Sequence, residues 1–110
     1  MDCIFCKIIA GEIPSKKLYE DDKVLAFYDI QPAAPVHFLV IPKQHIADCG
    51  QITSENSHLV AHIFEVIAKL TAEMNLTDYR VVNNKGIGAG QTVFHLHFHV
   101  LVGKTLEGMC

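Results

Sequence analysis

Apolar and polar positions change their spacing several times along the chain, and each change marks an element. Ile4, Phe5, Ile8 and Ile9 recur at helical spacing and predict a short helix over residues 4–10. Gly11 is placed to end it, because glycine tolerates a positive φ. Ile13-Pro14-Ser15 breaks the chain. Residues 17–20 read as a short strand and Asp21-Asp22 as a tight turn. Val24 to Ile30 alternates in part and is rich in strand formers, and residues 31–35 hold two prolines and read as a loop. His37 to Ile41 is an apolar strand stopped by Pro42. The longest periodic stretch predicts a helix from about Ser54 to Asn75. Thr53 or Ser54 would cap it, with Glu55 in its first turn. Leu59, Ile63, Phe64, Ile67 and Leu70 form the expected buried stripe, and Glu65 and Lys69 an outer i,i+4 pair. A strand at Tyr79–Val82, a glycine loop at Gly86–Gly90 and a final, strong strand at Val93–Val102 complete the pattern. Five mostly consecutive strands with one long and one short helix predict an α+β fold on an antiparallel sheet.

Composition narrows the class. The 110 residues suit a single domain spanning 1–110, and 50% hydrophobic with 19% charged residues is a folded composition. A net charge of −3 argues against binding polymeric nucleic acid. No apolar run approaches the ~18–20 residues of a membrane span. The start, Met1-Asp2-Cys3-Ile4-Phe5-Cys6-Lys7, has no secretory pattern, so the expected location is cytoplasmic. Cys3 and Cys6 form a C-x-x-C pair, which reads as half a metal site or as a redox pair. The redox reading needs a preceding strand that is absent from the sequence. Cys49 and Cys110 read as plain thiols.

The chain has seven histidines, and three of them, His95, His97 and His99, alternate along the final strand. Strand alternation puts all three on one face and Leu96, Phe98 and Val100 on the other, against the helix. Three readings follow. A single metal held by all three is disfavoured, because the outer two would stand about 13 Å apart on a strand. Three chance surface histidines fit poorly with the strict period. Chemistry on phosphate fits best. Residues 84–92, Asn84-Lys85-Gly86-Ile87-Gly88-Ala89-Gly90-Gln91-Thr92, lead into the strand with three glycines and a hydroxyl, a composition suited to an anion nest. A neutral imidazole is a nucleophile, and its neighbours can donate to phosphate oxygens. His58 and His62, four apart on the long helix, read as a surface pair.

His95-Leu96-His97-Phe98-His99-Val100-Leu101 resembles the pattern of the histidine-triad superfamily. Residues 89–94, Phe27-Tyr28-Asp29-Ile30, Pro35 to Lys43 and His45 are similar to it as well, so the resemblance spans about Cys3 to Gly103. It is nearest to the HinT-like nucleotide-binding branch. The resemblance implies a homodimer whose two five-stranded sheets join. It also implies hydrolysis of purine nucleoside phosphoramidates, AMP or GMP linked to an amine, with no organic cofactor. Under it His97 is the nucleophile, His99 contacts the α-phosphate, and His37 sits near His97 to hold or relay its proton. Asn84 and Thr92 would bind the phosphate or leaving group beside Gly90 and Gln91, and Asp29 the ribose hydroxyls. Ile4, Phe5, Ile8, Phe27, Ile30 and Leu39 match the purine slot, Ile8 and Ile30 equally well plain core. Cys3, Cys6, His45 and His95 resemble a zinc-bearing subset. The tail Lys104–Cys110 lacks the tryptophan and prolines of close eukaryotic relatives, and in the family that tail shapes the site across the dimer. The alternatives are a dinucleoside polyphosphate hydrolase and a nucleotide-binding regulatory protein with incidental catalysis.

Overall fold

The computed structural model describes residues 3–103. The tail Lys104–Cys110, Cys110 with it, lies outside the described residues, as do Met1 and Asp2. Helix α1 spans Ile4–Ile9, followed by β1 (Lys17–Glu20), β2 (Val24–Tyr28) and β3 (Val36–Pro42). Helix α2 (Ser57–Glu73), β4 (Arg80–Val82) and β5 (Phe98–Val102) complete the fold, with single 3₁₀ turns at Cys49–Gln51 and Ile87–Ala89. The strands form one antiparallel sheet in the order β1-β2-β3-β5-β4.

The central strands are buried on both faces, and their side chains sort by parity. Val24, Ala26, Phe38 and Val40 point to one face with Leu96, Phe98 and Val100. There they meet Leu59, Ile63, Val66, Ile67 and Leu70 of α2. Leu25, Phe27, Leu39 and Ile41 point to the other face, where α1 covers them with Phe5 and Ile8. Helix α1 has six residues, too short to cover that face entirely. The histidines collect on this face beside the helix, where Phe5 of α1 meets both His95 and His97.

Four local expectations shift. Helix α2 starts three residues late because residues 54–56 make a turn of their own. Thr53 Oγ1 accepts from the Glu55 N–H at 3.2 Å, and Asn56 Oδ1 accepts from the Thr53 N–H at 2.7 Å. Phe64 is 47% exposed and Val66 takes its place in the core. At about 100° per residue, position 64 lies well round the helix from the stripe. Lys69 reaches Glu73 at 3.7 Å, while Glu65 faces His62 at 3.4 Å. Finally, only Phe98–Val102 of the last apolar stretch pairs as a strand. Before it, the Leu96 N–H donates to the Ile46 carbonyl at 2.6 Å and the His97 carbonyl accepts from Asn83 Nδ2 at 2.9 Å. These bonds take the place of a ladder partner.

Candidate active site

Sheet register brings the histidines together. In the β3–β5 ladder His37 pairs with Leu101 and Leu39 with His99, so His37 and His99 are diagonal neighbours on one face. His37 Nε2 and His99 Nδ1 are 2.9 Å apart. His97, two residues before His99, presents its ring edge to it at a centroid distance of 4.9 Å. His37 therefore contacts His99, and its expected place beside His97 is taken by that ring.

The hydrogen bonds fix each imidazole's tautomer. The Ala33 N–H donates to His37 Nδ1 at 3.0 Å, so the His37 proton sits on Nε2 and is donated to His99 Nδ1. His99 then carries its proton on Nε2. His97 Nδ1–H donates to the His95 carbonyl at 2.7 Å, which leaves a lone pair on His97 Nε2. Burial pushes His97 below the usual imidazole range, against the His95 carbonyl bond, and keeps it neutral at pH 7. Burial and the neighbouring His97 and His37 lower His99 to about 4. Burial also lowers His37, with Asp29 opposing. The group thus offers one bare nitrogen on His97 and one N–H on His99.

His97 lines a cleft of about 330 Å³. Ile4, Phe5 and Ile8 of α1 form one wall, and Phe27 and Leu39 of the sheet form another. Phe5 stands edge-on to both Phe27 and His97, at centroid distances of 5.5 and 5.1 Å. Asp29 and Thr92 line the cleft, and Ile30, 90% exposed, sits on its rim. Ile8 is buried in the α1-side core and lines the cleft too, so it serves in both. Asp29 Oδ1 accepts the Gln31 N–H at 2.8 Å, and Oδ2 lies 3.5 Å from His37 Nε2. Val93, Ile13, Pro14 and Ser15 also line the cleft. Ile13, Pro14 and Ser15 fall in the break after α1, which gives no periodic signal.

The glycine loop is placed differently from the expectation. Gln91, Gly90 and Asn84 are absent from the lining of the cleft, as are His37 and His99, which reach it through the ring of His97. Gln91 is buried, and its amide is fully engaged. Oε1 accepts the Gly86 N–H at 2.8 Å, and Nε2 donates to the Ala47 and Val93 carbonyls at 2.9 and 3.0 Å. It locks the loop shut. Gly86 and Gly90 have φ of 90° and 95°, which L side chains rarely adopt. Of the two adjacent asparagines, Asn83 is the one that holds the His97 backbone.

Behind α1, the thiols of Cys3 and Cys6 converge on His45 and His95. Cys3 Sγ and Cys6 Sγ lie 3.3 and 3.6 Å from His95 Nδ1. Cys6 Sγ lies 3.3 Å and His95 Nδ1 3.2 Å from His45 Nδ1. Tetrahedral bonds of about 2.0–2.3 Å give donor separations of about 3.3–3.8 Å, so the four donors fit one metal ion. His95 Nε2–H donates to the Pro42 carbonyl at 2.7 Å, which turns its bare Nδ1 toward the thiols. Asp29, His37 and His99 also bring donor atoms within 4.8 Å of one another. There the Ala33 N–H donates to His37 Nδ1, which leaves the His37 proton on Nε2, and the 2.9 Å contact between His37 and His99 is the hydrogen bond within that trio. His62 is salt-bridged to Asp21, and among the described residues no helix is long and apolar enough to cross a membrane.

A family model described as "Scavenger mRNA decapping enzyme C-term binding" matches residues 2–109. The chain is 50% identical over 106 residues to an uncharacterised HIT-like protein of Synechococcus elongatus, covering 96% of this chain and 93% of that one. A HIT family hydrolase from Clostridium thermocellum superposes with a TM-score of 0.93 at 44% identity, over 98% of this chain and 96% of that one. A histidine triad nucleotide-binding protein from Candida albicans superposes with a TM-score of 0.82 at 40% identity, over 99% and 87%.

Proposed function

Since the chain belongs to the histidine-triad superfamily and has the fold of its hydrolases and nucleotide-binding members, we propose that it is a purine nucleoside phosphoramidase. One observation carries the reading: the 2.7 Å bond from His97 Nδ1–H to the His95 carbonyl, which leaves Nε2 bare on a ring that lines the cleft. The purine lies between Phe5, Ile8, Phe27 and Leu39, and Asp29 accepts the ribose hydroxyls. His97 Nε2 attacks the α-phosphorus. The P–Nε2 bond forms as the bond to the amine breaks, and the amine leaves with a proton taken from solvent water, which is returned when the intermediate is hydrolysed. His99 Nε2–H and the Thr92 hydroxyl hold the phosphate oxygens. Water then cleaves the nucleotidyl-histidine, giving a nucleoside monophosphate and neutral His97.

The reading includes zinc on Cys3, Cys6, His45 and His95. When bound, the metal would tie α1 to the residues before β5. It also includes a homodimer joined through the sheet, and a cytoplasmic location.

The test is turnover of an adenosine 5′-phosphoramidate, with acid-quenched protein examined by mass spectrometry for an adenylated His97. His97→Ala should lose several orders of magnitude in kcat. Near wild-type turnover by the variant would overturn the nucleophile assignment. A higher kcat/KM on a diadenosine polyphosphate than on the phosphoramidate would favour the dinucleoside polyphosphate alternative.

A further inference from the structure

Ser15 lines the cleft, and its Oγ is buried with no hydrogen-bond partner among the described residues. It is the one such side-chain atom among them. A buried hydroxyl without a partner is unfavourable, and native structures leave few of them.

Register places this hydroxyl. Lys17 pairs with Phe27, and the Tyr28 N–H donates to the Lys16 carbonyl at 3.0 Å, so the antiparallel pairing runs on past the end of β1. The Lys16 ammonium over the Tyr28 ring, 5.2 Å from its centroid, agrees with that pairing. The next pair outward is Ser15 with Asp29. Opposite residues of an antiparallel pair share a face, and residues two apart on a strand share it too. Ser15, Phe27 and Asp29 therefore face the cleft together, as its lining also requires.

The geometry points to Ser15 as a ribose-reading residue that works with Asp29. This rests on the nucleotide reading above and adds to it a selectivity for ribonucleotides over deoxyribonucleotides. The Asp29 carboxylate can only accept, and its Oδ1 already takes the Gln31 N–H. A vicinal diol carries two donors and two acceptor oxygens. The serine hydroxyl supplies what the carboxylate lacks, a donor to one of the two ribose oxygens. A hydrogen bond to a bound ribose would trade this unsatisfied hydroxyl for a paired one.

Calorimetric titration of AMP, 2′-deoxy-AMP and 3′-deoxy-AMP into wild type and Ser15→Ala tests this, since none of the three is turned over. Ser15→Ala should weaken AMP about five-fold, the loss of one net hydrogen bond. It should leave unchanged the affinity for whichever deoxy analogue lacks the hydroxyl that Ser15 reads. The ligand-free variant should unfold at the same temperature as wild type or higher, because it loses only an unpaired hydroxyl. Equal weakening of all three nucleotides, or unchanged AMP affinity, overturns the ribose role while leaving the nucleotide reading intact. No binding of AMP by wild type overturns both.

Discussion

His62 and Asp21 join the long helix to the β1–β2 turn, and His62→Ala tests how much that link contributes. His62 Nε2 lies 2.7 Å from Asp21 Oδ2, with side-chain exposures of 27% and 21%. Asp21 also accepts the Lys23 and Val24 N–H groups at 2.8 and 2.9 Å and the Tyr19 hydroxyl at 2.9 Å, so the histidine is bound to a turn that is already rigid. Hydrogen bonds to charged groups contribute about 1.5–3 kcal/mol and exposed ion pairs at most about 1. For this half-exposed pair about 1–1.5 kcal/mol is expected. In a domain of this size that lowers Tm by roughly 5–10 °C. The pH dependence is specific. The bond to Asp21 raises the His62 pKa against burial, so its contribution is complete below the ordinary histidine range and fades as pH rises through the raised value. Burial raises Asp21, but the bonds from His62, Lys23, Val24 and Tyr19 hold it well below the carboxylate range. Its contribution is present above the ordinary carboxylate pKa and lost only in strong acid. Both contributions overlap between about pH 4 and pH 6.5. Urea melts of wild type and His62→Ala should differ most near pH 5.5 and least near pH 8.5. A difference that is equal at the two pH values, or larger at pH 8.5, would refute the ion-pair account.

Gln91→Ala strips partners from the Gly86 N–H and the Ala47 and Val93 carbonyls, and should cost about 2–3 kcal/mol in a urea melt. A loss under about 0.5 kcal/mol would mean that water replaces the amide without penalty. Protein prepared without chelator should carry about one zinc per chain by elemental analysis, and Cys6→Ser much less. Below about 0.2 per wild-type chain, the four-ligand zinc site is wrong. Asn83→Ala frees the His97 carbonyl and should lower kcat more than it raises KM for a phosphoramidate. An effect on KM alone would place Asn83 in binding.

The sequence yielded most where side-chain parity and chemistry coincide. β1 has the predicted bounds, and the parity of His97 and His99 against Phe98 and Val100 predicted which of them meet α2. The convergence of Cys3, Cys6, His45 and His95 was readable only through a resemblance, because three separated stretches of chain must meet to form it. Helical periodicity misassigned Phe64, which is 47% exposed and meets the core only at its margin, against Phe98 with ring centroids 5.4 Å apart. Gln91 looked like a ligand residue because it follows glycines. Its role depends on the Ala47 carbonyl, 44 positions away, which no local pattern announces. His62 looked like a bystander for the same reason, since its partner lies 41 positions earlier.

His95 faces two ways. Its ring points to the thiols of Cys3 and Cys6, while its own carbonyl holds the proton of His97. Phe5, between those cysteines in the chain, touches the rings of both His95 and His97. The two groups thus share a single residue and a single short helix. A metal bound at the thiols would act on the residues that hold His97, and any effect it had on nucleotide affinity would be returned by the nucleotide to the metal by the same factor.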